Sequence, residues 1–570
     1  MILRGIAASD GIGIGKAVCV REQNLDYSAV QYAGKEVEKG RLQNAIEQFN
    51  QQTTEMAERV RTQVGQKESE ILTGQIMMLS DPFMQSQMME AIEGGQCAEA
   101  AVDQVCSMYA EMFAGVDDEL MRQRATDVRD LRTRLLSILL KVTGVDVSQL
   151  PAGSVLIAHD LTPSMTVGLK KENVAAILTE TGGRTSHSAI LARALELPAV
   201  LSVAKAMEFI KDGDGVIVDG KEGIALLNPD QLTRSEYLKK QAEFLKQREL
   251  LAVYRDRETV DADGRRYALY ANVGSPAEAQ AAAEAGAEGI GLFRTEFLFM
   301  DRSGAPTETE QLEAYQAASK AMAGKEVIIR TLDVGGDKAI DYLGMGKEDN
   351  PFLGHRAIRY CLDRPDLFKV QLRALLRAGA EEHNIKIMLP LVTSLEEIRQ
   401  AKTLLEQCKA ELEAEGLPYD KDIALGIMVE TPAAALIADL LAQESDFFSI
   451  GTNDLTQYTM AVDRGNAQVE KLYTTFHPAV LRSIRNVIQA AHEAKIPVGM
   501  CGEAAADPCL IPLLMHWGLD EFSVGVSSVL ATRSRIHKWR GTETAQVAQE
   551  AMGLSTAAGI QGYLKANARD

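Results

Sequence analysis

The run Ala424-Leu425-Gly426-Ile427-Met428-Val429 is apolar over the length of a strand and is followed at once by the charged residue Glu430. It is one of eight strand-like runs in the C-terminal part of the chain, each followed by a helical segment. The runs are 267–273, 289–294, 326–332, 385–391, 424–429, 447–450, 497–501 and 521–524. Regular strand–helix alternation over this length is typical of a (β/α)8 barrel. We therefore predict such a barrel over residues 259–570.

Polar residues follow these runs, where the C-terminal ends of barrel strands form the active face. The residues expected there are Arg294, Arg330, Asp333, Arg356, Glu430, Asn453, Asp454 and Cys501. Two of them, Glu430 and Asp454, are carboxylates suited to Mg²⁺. The arginines suit phosphate and carboxylate groups. Any one of these charges could lie on the surface, but their convergence predicts a site for a small, highly anionic substrate.

A second notable stretch is 181–189, Thr-Gly-Gly-Arg-Thr-Ser-His-Ser-Ala. An apolar run at 174–178 leads into the Gly-Gly turn and a helix is predicted from about residue 188, which places His187 near a helix N-terminus. Free N–H groups and the helix dipole stabilise a phosphate there, and a neutral imidazole can act as a nucleophile. For an isolated histidine, helix capping by Thr185 or Ser186 is the simpler interpretation. The barrel motifs favour the nucleophile.

The remaining pattern indicates further domains. Residues 1–22 alternate like a strand, 23–145 show helical periodicity, and 146–230 contain short strands with helices between them. We expect an α/β domain formed by 1–22 plus 146–230, with 23–145 inserted as a helical bundle. The segment 231–258 is expected to be a linker helix. A glycine-rich run at 11–17 lacks the spacing of a Walker nucleotide loop.

Composition excludes several classes of protein. A formal net charge of −20 over 570 residues argues against nucleic acid or an anionic membrane as a partner. No apolar run approaches the ~20 residues of a membrane span, and the first residues do not resemble a signal peptide. The seven cysteines are scattered without CxxC spacing, which argues against disulfides and a zinc site. We expect a cytoplasmic protein.

The acidic residues are unevenly distributed. Between Gln66 and Leu120 there are eleven acids and one base, a local balance of 1 − 11 = −10. The simpler interpretation is a solvated helical face. The alternative is a docking surface for a small basic protein, in which Glu68 and Asp81 are candidate contacts.

Five motifs together resemble the phosphoenolpyruvate (PEP)-utilising enzymes. They are Gly-Gly-Arg-Thr-Ser-His at 182–187, Gly-Leu-Phe-Arg-Thr-Glu-Phe at 291–297, Arg-Thr-Leu-Asp-Val-Gly-Gly-Asp-Lys at 330–338, Gly-Ile-Met-Val-Glu-Thr-Pro at 426–432 and Gly-Thr-Asn-Asp-Leu-Thr-Gln-Tyr at 451–458. In order and length the whole chain resembles the family members that phosphorylate a protein in the bacterial sugar phosphotransferase system. The resemblance implies a swivelling α/β domain that carries a phosphohistidine, an inserted helical bundle and a C-terminal barrel.

The resemblance also implies residue roles. His187 takes the phosphoryl group from PEP, Thr166 orients its ring, and the helical insertion binds the phosphocarrier protein HPr. The barrel binds PEP and Mg²⁺ and forms a homodimer. Its PEP-binding residues are Arg294, Arg330, Arg356, Asn453 and Arg464, and its Mg²⁺ ligands are Glu430 and Asp454. Cys501 protonates the enolate to give pyruvate.

Two other functions would use the same fold. A PEP synthase or dikinase shares the histidine domain and the barrel, but it needs a nucleotide-binding domain for which the chain has no room. A PEP-sensing module without catalytic activity would keep the fold and lose the chemistry. The intact His187, Glu430, Asp454 and Cys501 argue against that alternative.

Overall fold

A computed structural model describes residues 1–569 except 21–24, 64–65, 115–118, 143–149, 162–164, 166–168, 184–185, 196, 301, 303, 336–339, 347, 465 and 467. The side chains of 59–71, 114–123, 187, 190, 194 and 341 also lie outside the described part. The chain divides into two compact units, Met1–Arg248 and Glu249–Asp570. Each unit has its own hydrophobic core.

The described strands of the first unit form an eight-stranded sheet. Strands β1 to β8 span Ile2–Arg4, Ile6–Ser9, Ile12–Val20, Ser154–Ala158, Val174–Thr179, Ala199–Leu201, Gly215–Asp219 and Ile224–Leu227. Their order in space is β1-β8-β7-β3-β4-β5-β6-β2. The four strands β3 to β6 are parallel, whereas β1, β2, β7 and β8 pair antiparallel. Gly11 lies in the turn between β2 and β3 and has a φ of 123°. A residue with a Cβ would disfavour this backbone angle.

A set of helices separates β3 from β4 in the chain, although these two strands are neighbours in the sheet. Helices α1 to α5 span Lys35–Gln63, Gln66–Leu79, Pro82–Glu93, Ala98–Ala114 and Glu119–Leu140. Their apolar faces meet in one core that includes Leu42, Phe49, Met88, Leu131 and Leu135. The predicted helical insertion into an α/β unit is confirmed.

Three further helices belong to the region after β5. They are α6 (His187–Ala194), α7 (Ala206–Phe209) and α8 (Gln231–Ala252). In the first half of α8, Tyr237 packs with Ile217 and the Gln241 Nε2 donates to the Ile12 carbonyl at 2.6 Å. This half of the predicted linker helix is therefore part of the packing of the first unit.

The second unit is a closed barrel of parallel strands. Strands β9 to β16 span Ala268–Val273, Ile290–Arg294, Val327–Arg330, Ile385–Leu389, Ala424–Val429, Phe448–Ile450, Val498–Met500 and Glu521–Gly525. They pair in chain order, and β16 closes on β9. The predicted (β/α)8 barrel is confirmed, with each strand within two residues of its predicted limits.

Helices surround the barrel between its strands. Helices α9 to α21 span Pro276–Glu284, Glu308–Ala321, Ala357–Asp363, Pro365–Ala378, Leu395–Glu415, Pro432–Leu436, Ala438–Leu441, Thr452–Met460, Pro478–Glu493, Ile511–Trp517, Val529–His537, Gly541–Met552 and Ala557–Asn567. Two of them, α9 and α14, begin with proline after a capping hydroxyl, and in α14 the Thr431 Oγ1 accepts from the Ala434 N–H at 3.1 Å. This order fits the preference for proline in the first helical turn. In the described part of the chain, every helix is too short or too polar to cross a membrane.

The N-terminal end of the barrel contains a buried polar group. Glu521, at the start of β16, is 9% exposed and packs against Gly291 and Gly499, where a Cβ would collide with its carboxylate. Nearby, the Tyr270 hydroxyl donates to the Glu326 carboxylate at 2.7 Å. Glu326 also forms an ion pair with Lys386. Burial raises the pKa of Glu521 to about 8, because an ionised carboxylate loses solvation in the barrel interior.

A buried arginine attaches the start of the second unit to the barrel. Arg533 is 1% exposed. Its guanidinium donates to the carbonyls of Tyr254 at 2.8 Å, Arg255 at 3.1 Å and Gly286 at 2.6 Å, and to the Thr259 hydroxyl at 2.9 Å. Residues 254–259 are thus part of the barrel unit.

Candidate active site

The predicted site residues lie at the C-terminal end of the barrel. Arg294 and Arg330 are the last residues of β10 and β11 and are register partners. Glu430 follows β13, and Cys501 follows β15. Asn453 and Asp454 lie in the first turn of α16 after β14, and Arg356 is the residue before α11.

Five buried residues form a chain of alternating charges across this end. Arg330 Nη2 contacts Glu296 Oε1 at 2.7 Å, and its Nη1 contacts Asp333 Oδ2 at 2.8 Å. Arg356 Nη2 contacts Asp333 Oδ1 at 2.7 Å, and its Nη1 contacts Asp454 Oδ2 at 3.3 Å. Every member is less than 9% exposed. Since an unpaired buried charge is costly, the alternation is what allows so many charges in the interior.

Arg464 extends the chain to solvent. Its Nη2 lies 3.5 Å from Asp454 Oδ1, and its side chain is 38% exposed. The backbone N–H of Arg464 donates to Gln457 Oε1 at 3.1 Å. The structure thus brings Arg330, Asp333, Arg356 and Asp454 together, as predicted for neighbouring strand ends, and Arg464 joins them through Asp454. Arg294 is exposed at the rim.

Glu430 is a buried carboxylate of the site. Its Oε1 accepts from the Leu391 N–H at 2.7 Å, and a Cβ on Gly451 would lie 2.7 Å from its Oε2. Burial raises the pKa of Glu430 well above its usual range, and repulsion by Asp454 and Asp333 adds to this. A cation beside these carboxylates would reverse the effect.

Cys501 belongs to a cluster of buried apolar residues inside the barrel. The cluster consists of Leu292, Ile328, Met388, Met428, Phe447 and Cys501. The thiol is 3.9 Å from the Ile450 carbonyl oxygen. Burial raises its pKa to about 11, so that it holds its proton at neutral pH and can act as an acid.

In the first unit, His187 is the first residue of α6. Ser186 caps the helix, with its hydroxyl accepting from the Ala189 N–H at 3.4 Å. Ser188 Oγ donates to Asp160 Oδ1 at 3.2 Å, which ties the helix start to the end of β4. The predicted helix N-terminus is confirmed, and so is capping by Ser186. The His187 side chain lies outside the described residues, as do Thr166 and Thr185.

Of the two candidate HPr contacts, Asp81 and Glu68, the structure describes the side chain of Asp81. The Asp81 carboxylate caps α3, accepting from the backbone N–H groups of Phe83 at 2.7 Å and Met84 at 3.2 Å. The Glu68 side chain lies outside the described residues. Both remain predictions as docking residues.

Three contributors to the site among the described residues were not predicted from the sequence. Glu296 pairs with Arg330, the Tyr458 hydroxyl accepts from Arg356 Nη1 at 3.2 Å, and Leu391 holds Glu430. Glu296 stands two residues after Arg294, so the rule that selects strand ends could have included it. The other two act through contacts between distant segments, for which the sequence carried no signal.

Three family models match the chain in succession. They describe the N-terminal domain of PEP-utilising enzymes over residues 4–124, their mobile domain over 150–223, and their PEP-binding domain over 248–540. A solved structure described as an NMR solution structure of Enzyme I covers 42% of this chain and 99% of its own length at 36% identity, with a TM-score of 0.37.

Similar proteins from several bacteria match almost the whole chain. The phosphoenolpyruvate-protein phosphotransferase of Priestia megaterium is 45% identical, covering 94% of both chains. The proteins of the same name from Geobacillus stearothermophilus and Staphylococcus carnosus are 44% and 43% identical, covering 99% and 97% of this chain and 97% of theirs. This chain therefore belongs to the PEP-utilising enzymes and, within that family, to the phosphoenolpyruvate-protein phosphotransferases.

Proposed function

We propose that the protein transfers the phosphoryl group of PEP to His187 and then to a histidine of HPr, the first step of sugar uptake by the phosphotransferase system. The observation that carries the proposal is the buried chain of alternating charges at the barrel end, in a family of PEP-utilising enzymes. PEP presents a phosphate and a carboxylate, and arginine guanidinium groups match both.

PEP binding is assigned to Arg294, Arg330, Arg356, Asn453 and Arg464. In the described part of the chain, the buried Nε atoms of Arg330 and Arg356 have no hydrogen-bond partner. Unsatisfied buried donors favour an anionic ligand nearby. Arg464 and Arg294 are more exposed, which suits residues that meet the substrate as it enters.

Mg²⁺ fits the donor set of Glu430 and Asp454. Burial, and after it the neighbouring carboxylates Asp454 and Asp333, raise the pKa of Glu430, and a divalent cation would favour the ionised carboxylate here. In the described residues, no three His, Cys, Asp or Glu side chains form a complete metal site, so water and substrate oxygens must supply the other ligands, as is common for Mg²⁺. When bound, Mg²⁺ supplies positive charge to the oxygens of PEP.

The chemistry is a transfer from oxygen to nitrogen. A nitrogen of His187 attacks phosphorus in line, so that a P–N bond forms as the bond from phosphorus to the enol oxygen breaks. The arginines stabilise the charge on the phosphoryl oxygens. The leaving enolate takes a proton on carbon from the Cys501 thiol and becomes pyruvate, after which solvent reprotonates the thiolate.

We assign the division of labour to the predicted domains. The α/β domain, 1–22 plus 146–230, carries the phosphohistidine and swivels between partners, because one histidine cannot face both PEP and HPr. The helical insertion, 23–145, binds HPr. Support comes from its acidic balance and from two exposed apolar side chains, Met77 and Phe83, beside Asp81.

Two further assignments concern assembly and location. We propose that the barrel forms the homodimer, because Leu436 and Leu440 on the helices after β13 are 83% and 45% exposed, and exposed apolar side chains favour a protein interface. We propose a cytoplasmic location because all seven cysteines are free thiols, as expected in a reducing compartment.

The decisive experiment is incubation with phosphate-labelled PEP, Mg²⁺ and HPr, followed by mapping of acid-labile label. We expect label on His187 and on HPr, and none on a His187→Ala variant. Labelling of His187 from ATP instead of PEP would favour the dikinase alternative. Label at another residue would contradict the assignment of the nucleophile.

A further inference from the structure

Asp333 joins the two buried arginines of the site. Each of its carboxylate oxygens contacts a different guanidinium, Oδ2 with Arg330 at 2.8 Å and Oδ1 with Arg356 at 2.7 Å. The two arginines come from different parts of the barrel, the end of β11 and the residue before α11. Asp333 is the carboxylate that both guanidinium groups contact, so it bears directly on how the two groups lie relative to each other.

The backbone around Asp333 is held firmly. Its neighbours Leu332 and Val334 are fully buried. The Leu332 N–H donates to Gln371 Oε1 at 2.9 Å, and the Val334 carbonyl accepts from the Ala357 N–H at 3.2 Å. The second bond joins the residue after Asp333 to the residue after Arg356. Asp333 is thus a fixed point against which the arginines are aligned.

A binding role for Asp333 itself is unfavourable. A carboxylate next to a dianionic phosphate repels it, so this residue lowers affinity for PEP if it does anything to the substrate directly. Its benefit must come from the arginines, whose guanidinium groups have to face the phosphoryl oxygens in the transition state. Preorganised groups of this kind need no rearrangement at the moment of reaction.

We propose that Asp333 is a positioning residue for phosphoryl transfer, setting the separation and orientation of Arg330 and Arg356. This inference rests on the proposed function. It predicts that the length of the side chain matters as much as its charge. A glutamate at this position keeps the charge and both acceptors but moves the carboxylate by about one carbon–carbon bond.

The test compares Asp333→Glu with a matched control. Glu308 also joins two arginines, accepting from Arg373 Nε at 2.7 Å and Arg377 Nη1 at 2.5 Å, but it does so on the outer helices α10 and α12. We expect Asp333→Glu to lower kcat for PEP-dependent phosphorylation about 100-fold with a smaller change in KM, since displacement of catalytic groups by ~1 Å has effects of that size. Glu308→Asp should leave kcat unchanged.

A double-mutant cycle separates positioning from general damage. In an Arg356→Gln background the ion pair between residue 356 and Asp333 is already lost, so Asp333→Glu should cost less than it does in the wild type, and the two losses should be clearly non-additive. If Asp333→Glu unfolds, Asp333→Asn, which keeps one acceptor, enters the same cycle. A kcat for Asp333→Glu within twofold of the wild type, or additive losses, would overturn the positioning role alone. Absence of PEP-dependent labelling in the wild type would overturn the proposed function as well.

Discussion

The backbone N–H of Leu391 donates to the Glu430 Oε1 at 2.7 Å, and Leu391 holds a left-handed φ of 55° to do so. A leucine rarely adopts this conformation, and such strain concentrates at functional sites. The contact fixes one oxygen of Glu430 at the end of the barrel. The other oxygen faces Gly451, where the absence of a Cβ leaves room for it.

This geometry makes Glu430→Gln a sharper test of the metal site than removal of the side chain. Glutamine keeps the acceptor for Leu391 and loses the charge that would hold Mg²⁺ in the proposed site. We expect PEP-dependent phosphorylation of His187 to fall at least about 100-fold, while phosphorylation in reverse from phospho-HPr survives. Glu444→Gln, at an exposed ion pair with Arg399, is the control. Full activity of Glu430→Gln in Mg²⁺ buffer would contradict the metal assignment.

Cys501→Ala should separate PEP binding from pyruvate formation. The raised pKa keeps the thiol protonated at neutral pH. In the proposed mechanism its proton goes to the enolate, so the variant should bind PEP and turn over about 10²–10⁴-fold more slowly. Turnover and solvent hydrogen incorporation into pyruvate measure this. If both are unchanged, another group delivers the proton.

Association with HPr should weaken as salt rises, because exposed complementary charges act over a Debye length of about 8–10 Å at physiological ionic strength. Asp81→Asn tests this surface without harming the fold, since asparagine also caps helices well and α3 needs its cap. We expect weaker binding of HPr at low salt and an unchanged melting temperature. An affinity that is flat from low to high salt would indicate an apolar docking face.

Glu521 should make the stability of the barrel depend on pH. Its pKa rises from 4.5 to about 8 on folding, so between these values the folded chain holds a proton that the unfolded chain has lost. Stability should therefore fall as pH rises from about 4.5 to about 8 and level off above.

The groups that face Glu521 are Tyr270, Glu326, Lys386 and Asp520, and their own titration defines the background. The Glu521→Gln variant lacks this pH-dependent contribution to the free energy of unfolding. Its stability relative to the wild type, measured by denaturant unfolding, should therefore increase from pH 5 to pH 9. Glu381→Gln, at an exposed ion pair with Lys320, should show no such trend. A constant difference between Glu521→Gln and the wild type would show that Glu521 stays ionised.

The chain should divide into two folded fragments, each of which keeps part of the proposed function. Residues 1–255 should exchange phosphate with HPr but not react with PEP alone, since every assigned PEP ligand lies in the barrel. For the barrel fragment, residues 249–570 should bind PEP with Mg²⁺ and dimerise without taking phosphate. A fragment beginning at 260 should be less stable, because it removes acceptors of the buried Arg533. Equal unfolding midpoints for the two barrel fragments would contradict this.

The barrel strands could be predicted because each carries its own signal. A buried parallel strand is an apolar run, and β13 matches its predicted limits of 424–429. For residues 1–22 the sequence predicts less. Their alternation predicted strand structure but not that β1 and β2 lie at opposite edges of the sheet, since the pairing partners of an edge strand are distant in sequence.

The site shows the same limit. The chemistry of Arg330, Arg356 and Asp454 followed from their residue types and their places after strands. Their pairing did not, because it depends on side chains that meet across the barrel, as Arg356 meets Asp454 at 3.3 Å. The contribution of Leu391 depends on a backbone angle that its residue type disfavours.

The bonds from Arg533 to residues 254–259 also bear on where the chain between the two units can bend. They fasten residues 254–259 to the barrel, and Gln241 fastens α8 to the sheet of the first unit. Between these two attachments, the chain has about a dozen residues that neither contact restrains. If the enzyme alternates between PEP and HPr as proposed, bending of the chain between the two units would fall in this interval, most of which is the second half of α8. A proline or a glycine pair placed there would change the frequency of exchange between partners without touching either active surface.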